Sequence, residues 1–285
     1  MRKRSIGLMA TLLAIAAGPA FGGTVNILWY TGGTEVSGAG TYEADVNNLV
    51  TQEENGAFNT SGSVNTWNVT FWSGGAMPAG SYNVLVAASS EGPWSSTPNY
   101  ASLTGALNAS SFGSRVMLTG QDADWHYANF PGPGNFNGPA GFLIDAINWA
   151  GSGTGMGALM LGGSSHTFAF TGIGSVNNIN NNTVVIPPAF ASFPINSGLT
   201  SAGLSGWSIS AHEDFTGVDH TLWTPINQDG SGDDITIVSA ATASGGTTGG
   251  GTVPEASSTF ALTFLGVAFL AGFARLARRE SPVVS

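Results

Sequence analysis

Apolar positions along the central part of the chain follow two rhythms. Residues 24–30, 82–88, 115–119 and 158–161 are short, nearly continuous apolar runs, the pattern of strands buried on both faces. Residues 64–72 alternate, with Val64, Trp67, Val69 and Phe71 apolar, and read as a further strand. Between these runs the spacing turns helical. In residues 42–51, Tyr42, Val46, Leu49 and Val50 share one face, and residues 100–108 make a short helix. Residues 139–150 carry Phe142, Ile144, Ala146, Ile147 and Trp149 behind Pro139, a residue suited to a first helical turn. Strands alternating with helices predict an α/β fold, a mainly parallel sheet flanked by helices on both faces in three layers. Residues 120–138 read as a long loop. Residues 167–171, 183–186 and 235–238 read as later strands, which predicts an added β-rich C-terminal part at a sheet edge.

Both ends break these rhythms. Residues 257–274 are 18 uncharged positions rich in Leu, Phe, Ala and Val. As a helix they would span roughly 27 Å, enough for a bilayer core, which predicts a C-terminal transmembrane helix. Arg275, Arg278 and Arg279 follow it, and basic residues beside a span stay in the cytoplasm, so the bulk of the chain is expected outside. At the other end, Arg2, Lys3 and Arg4 precede an apolar stretch over 6–17 and the small residues Ala20 and Gly22, the layout of a secretory signal peptide read by a signal peptidase. The organisation expected is a signal peptide at 1–22, an extracytoplasmic domain at 23–243 and a Gly/Thr-rich linker at 244–252. A sorting segment at 253–279 and a cytoplasmic tail at 280–285 complete it.

Charge sharpens the picture of the middle. Of the 7 Lys and Arg residues only Arg115 lies between residues 23 and 252, against fifteen acids, a formal charge of −14 for that part. Such a surface repels nucleic acid and anionic lipid and keeps an exported domain in solution; it also attracts divalent cations. The chain has no cysteine, so disulfides, thiolate metal sites and cysteine nucleophiles are excluded.

Two resemblances add expectations. Val253, Pro254, Glu255 and Ala256, followed by the apolar run and by Arg275, Arg278 and Arg279, resemble the PEP-CTERM sorting signal of bacterial exported proteins. Ala256 stands where that motif usually has proline. The resemblance implies an exosortase substrate placed at the cell surface or outside the cell, often with an exopolysaccharide matrix, and held at least transiently in the inner membrane. The order of elements over 24–238 resembles a class I glutamine amidotransferase-like domain of the trehalose-utilisation type, with its flavodoxin-like three-layer sheet. The residues that carry this are the strand end Tyr30-Thr31-Gly32-Gly33 and the turn Gly120-Gln121-Asp122, with Pro194, Trp207 and His212 further on. In that family the turn carries a cysteine nucleophile. None exists here, and Phe193 replaces the histidine often found before Pro194, so glutaminase chemistry through a thiolate is excluded.

The densest polar stretch is Gln121-Asp122-Ala123-Asp124-Trp125-His126, at the end of a strand, where open α/β sheets bind ligands. In an extended loop Asp122, Asp124 and His126 would face one way, offering a cation site or an acid–base pair; capped turns and surface packing are the bland alternative. His212 and Glu213 form a second cluster that could join the first. Asp229, Ser231 and Asp233 place oxygens at alternate positions, a partial calcium-loop pattern lacking the distal glutamate, and a plain Gly-Asp turn before the strand at 235 is the favoured reading. His166 reads as structural. Three functions follow: a non-enzymatic exported surface or matrix protein, with no catalytic residues assigned; a hydrolase using Asp122, Asp124, His126 and His212; or a module binding Ca2+ or another divalent cation.

Overall fold

The computed structural model describes residues 20–34, 41–56, 63–91, 93–129 and 138–239. The chain divides into two compact units, residues 1–245 and 246–285. The second lies wholly outside the described residues, as do residues 1–19 of the expected signal peptide, the linker, the sorting-motif residues and the expected C-terminal span.

The first unit is built on one ten-stranded sheet. Its strands are β1 (Ala20–Tyr30), β2 (Ser63–Trp72), β3 (Val84–Ala87), β4 (Val116–Thr119) and β5 (Gly157–Met160), then β6 (Ser175–Asn181), β7 (Val184–Val185), β8 (Ala211–Thr216), β9 (Trp223–Asp229) and β10 (Asp234–Ser239). The order is β2-β1-β3-β5-β4-β10-β8-β6, with β9 also on β10 and β7 on β9. β1 to β5 pair in parallel, while β6 to β10 join by antiparallel pairing. The helices are α1 (Tyr42–Glu54), α2 (Ala101–Ala106), α3 (Ala123–Asn129), α4 (Pro139–Gly151) and α5 (Ser201–Leu204).

This corrects the expected fold class. The sheet is mixed, not mainly parallel, and the later strands belong to it instead of forming an extension. The three-layer arrangement also fails. Successive strand residues point to opposite faces, and here Ile27, Trp29, Val84 and Val86 meet α1, α3 and α4 on one side. Leu28, Tyr30, Leu85 and Ala87 on the other side meet the six-residue α2 through Leu103, together with Phe168, Phe215 and Trp223. Aromatic loops and strands cover that face where a layer of helices was expected. The expected strand at 167–171 is turn and loop, and the expected long loop at 120–138 contains α3. No helix among the described residues is long and apolar enough to cross a membrane.

Local chemistry accounts for the helices that matter. Thr41 caps α1, its hydroxyl accepting from Ala44 N at 3.2 Å, with Glu43 and Asp45 in the first turn. α4 starts on Pro139 and buries Phe142, Leu143, Ile144 and Ile147. The core is tight enough that Leu85→Ala on β3, where Leu85 has no exposed surface, is expected to cost about 2–5 kcal/mol, read as an earlier urea-unfolding midpoint.

Candidate metal centre

The C-terminal ends of β3, β4 and β5 open onto one place, and β8 closes it. The geometry begins with Gly120. A Cβ there would lie 1.9 Å from the carbonyl oxygen of Glu213, so only glycine lets β8 run this close to the end of β4. Gly120 N donates to Ile235 O at 2.8 Å, and His212 N donates to Gly120 O at 2.8 Å. β8 is thereby pinned with His212 beside the residues that follow β4.

Those residues start α3, and the helix decides what faces what. His126 N donates to Asp122 O at 3.1 Å, so Asp122 and His126 lie one turn apart on the same side. Asp122 Oδ1 is 3.2 Å from His126 Nε2, and Asp122 Oδ2 is 3.4 Å from His212 Nε2. Asp122 has no exposed surface, and neither of its oxygens has a well-aligned hydrogen-bond donor among the described residues. Burial by itself would raise its pKa, but the two imidazoles outweigh that and hold the carboxyl below its ordinary value. Burial pulls His212 down, and Asp122, then Glu91 and Glu213, more than offset it, leaving His212 raised. One ligand atom from each of Asp122, His126 and His212 lies within 4.8 Å of the others.

The sites expected from sequence separate here. Asp122, His126 and His212 come together. Asp124 points away, its Oδ2 accepting from Tyr42 OH at 2.7 Å and Ser89 N at 2.9 Å, because a helix, unlike an extended loop, turns alternate residues apart. Gln121 is a strut: its carbonyl accepts from Gly162 N at 3.1 Å and its Oε1 from Thr236 Oγ1 at 3.3 Å. Glu213 does not pair with Asp122: its Oε1 meets His166 Nδ1 at 2.9 Å and its Oε2 accepts from Ser165 Oγ. Asp229, Ser231 and Asp233 form the turn between β9 and β10. Asp229 Oδ1 accepts from Ser231 N at 2.7 Å and Asp233 N at 3.0 Å, and its Oδ2 from Asn181 Nδ2 at 2.7 Å, so the carboxylate is committed to the turn.

His166 and Glu91 join the site although the sequence does not single them out for it. Glu91 follows β3, and burial and then the charge of Glu213 raise its carboxyl. The signal available is position: residues 161–166 leave the end of a buried parallel strand, where ligands bind. A strained loop backs the cluster. Ser208 has φ of 82°, a left-handed conformation unusual outside glycine, in the segment that lays Trp207 on the His126 ring at 5.4 Å and presents Ile209 O to His126 Nε2 at 2.8 Å. Because a carbonyl only accepts, that bond puts the imidazole proton on Nε2.

Comparison of the chain with protein-family models, with curated proteins and with solved structures gives no match.

Proposed function

We propose that this is an exported metal-binding protein whose Asp122, His126 and His212 hold one divalent transition-metal ion. The observation that carries this is the spacing of the ligand atoms. A tetrahedral ion bound at about 2.0–2.2 Å separates its ligands by about 3.3–3.6 Å. Asp122 Oδ1 lies 3.2 Å from His126 Nε2 and Asp122 Oδ2 lies 3.4 Å from His212 Nε2, and one ligand atom from each residue lies within 4.8 Å of the others, so a small side-chain adjustment closes the three onto one ion. Two imidazoles and one carboxylate suit zinc or its neighbours and not calcium, which takes oxygen ligands. Three protein ligands leave a fourth position for water, the pattern of reactive zinc sites. A buried ionised carboxylate also needs a compensating charge, and the ion would supply it. His126 Nε2 would give up its proton and its bond to Ile209 to ligate, so binding releases protons. Export rests on the N-terminal leader pattern and on the Pro254-Glu255 motif, with signal peptidase and an exosortase as the processing partners.

Thermal melting of the full chain with zinc and with chelator tests the reading. Zinc at about a hundred times its dissociation constant stabilises the native state by about 2.7 kcal/mol, an upward shift of several degrees. Asp122→Asn should remove the shift. Identical melts of the unaltered protein in zinc and in chelator would sink the proposal.

A second reading draws on the aromatic rings beside the cluster. Trp125 and Trp207 are half-buried, and Trp94 and Trp125 lie 6.5 Å apart edge to face. Contact with exopolysaccharide through such rings would make the protein a matrix component. Retention on the cell's own exopolysaccharide, lost in Trp207→Ala, is the result that reading expects.

A further inference from the structure

The other arm of the site has the build of an acid–base dyad. Glu213 is fully buried, and each of its oxygens is taken by one donor: Oε1 by His166 Nδ1 at 2.9 Å and Oε2 by Ser165 Oγ. The carboxylate is thus held still and holds the imidazole in turn. His166 itself is 57% exposed, so its Nδ1 is engaged while the ring reaches solvent. A buried carboxylate that orients a half-open imidazole is the arrangement that sets a tautomer and readies the second nitrogen for proton transfer. The dyad and the Asp122 cluster share Glu91 as a neighbour, whose carboxyl feels the charges of Glu213, His212, Asp122 and His166. The charged groups that face His166 are Glu213 on β8 and Glu91 after β3. The Glu213 bond comes first in raising its pKa, against the pull of burial.

We propose that His166, positioned by Glu213, is the general acid–base of a hydrolytic site that takes an uncharged ester. This rests on the metal proposal and deepens it, since it assigns a reaction to the same site. The substrate is uncharged because Glu91 and Glu213 add carboxyls beyond the one that would hold the ion, and the central part of the chain carries a formal charge of −14, which together disfavour phosphate esters and carboxylates. The step balances with the chain's own groups and water. His166 Nε2 takes a proton from a water molecule as its oxygen bonds to the ester carbonyl carbon, and the carbonyl electron pair moves onto oxygen. When the tetrahedral intermediate collapses, the bond to the alcohol oxygen breaks and the imidazolium returns the proton to that oxygen, releasing an acid and an alcohol.

The test uses the full chain with zinc, p-nitrophenyl acetate as the uncharged ester and p-nitrophenyl phosphate as the charged one. The proposal expects turnover of the acetate and none of the phosphate. His166→Gln should lower kcat by about 10²–10⁴-fold while zinc affinity by calorimetry stays within about twofold. His166→Asn serves the same purpose should the glutamine variant fold poorly. His220→Gln, which removes another exposed imidazole, should leave the rate unchanged. Glu213→Gln should shift the acid limb of the pH–rate profile to lower pH, because the imidazole loses the carboxylate that raises its pKa; a merely structural clasp would leave the limb in place. Acetate turnover no faster in the unaltered protein than in the His166 variants would overturn the proposal, whether or not zinc binds. Turnover that depends on His166 in a protein that binds no zinc would uphold it and overturn the metal reading alone.

Discussion

An alanine at position 120 is expected to lower stability by about 2–4 kcal/mol and to abolish zinc-dependent stabilisation at the same time. The added Cβ meets Glu213 O at 1.9 Å and the Glu213 carbonyl carbon at 2.6 Å, contacts with backbone that no rotamer can relieve. β8 must move off the end of β4, and His212 moves with it, away from Asp122. Neither effect follows from Gly120→Ala if β8 is merely adjacent. Urea unfolding gives the first quantity and melting with zinc and with chelator gives the second. A variant that melts like the parent and still responds to zinc would show that the close approach of the two strands does not position the site.

The second large effect is alkaline. Asp145 on α4, half-buried, and Glu53 on α1, fully buried, place two carboxyls within reach of each other's charge. Glu53 Oε1 accepts from Asn65 N and from Asn148 Nδ2, each at 3.0 Å, while Glu53 Oε2 and Asp145 Oδ2 have no donor among the described residues. Burial, and then the charge of Glu53, push the Asp145 pKa up to about 8; burial also raises Glu53. The folded state therefore holds a proton on Asp145 that the unfolded chain has already released above about pH 4. That stability is complete below about pH 4 and is lost as pH rises to about 8. Each tenfold change in proton affinity is worth about 1.4 kcal/mol, so with allowance for the partial exposure of Asp145 the loss is on the order of a few kcal/mol. Urea unfolding at pH 5, 7 and 9 should show stability falling across the series, and Asp145→Asn should flatten it and be the more stable protein at pH 9. Parallel curves for the two proteins would contradict this assignment of the buried proton.

The parallel half of the sheet is legible in the sequence because its strands are buried on both faces. Residues 82–88, 115–119 and 158–161 are apolar almost without interruption, and the structure puts β3, β4 and β5 there. The antiparallel half is legible only in part: residues 183–186 and 235–238 read as strands, and β7 and β10 lie there, but β6, β8 and β9 are missed. β6, Ser-Val-Asn-Asn-Ile-Asn-Asn, and β8, Ala-His-Glu-Asp-Phe-Thr, carry polar side chains that satisfy one another across strands, such as Asn177 Nδ2 to Asp214 Oδ1 at 2.7 Å. Polar runs of this kind read as loops until their partners are known, which hides the strands that join β10 and β7 to one mixed sheet. The candidate site divides in the same way. The chemistry of Asp122, His126 and His212, and the place of the first two after a strand, mark them in the sequence. Alternation in an extended loop does not bring them together: the first turn of α3 aligns Asp122 with His126 and sends Asp124 to Tyr42. His166 reads as structural because its partner, Glu213, lies 47 residues along the chain, and no local pattern shows that pairing.

X-ray absorption at the zinc edge of the loaded, desalted full chain tests whether Asp122, His126 and His212 hold one ion. The account predicts about one zinc per chain, with nitrogen and oxygen neighbours at about 2.0–2.1 Å and outer-shell scattering from two imidazoles, one of which disappears in His212→Ala. Zinc lost on desalting, or retained in an all-oxygen shell with no imidazole scattering, would contradict it.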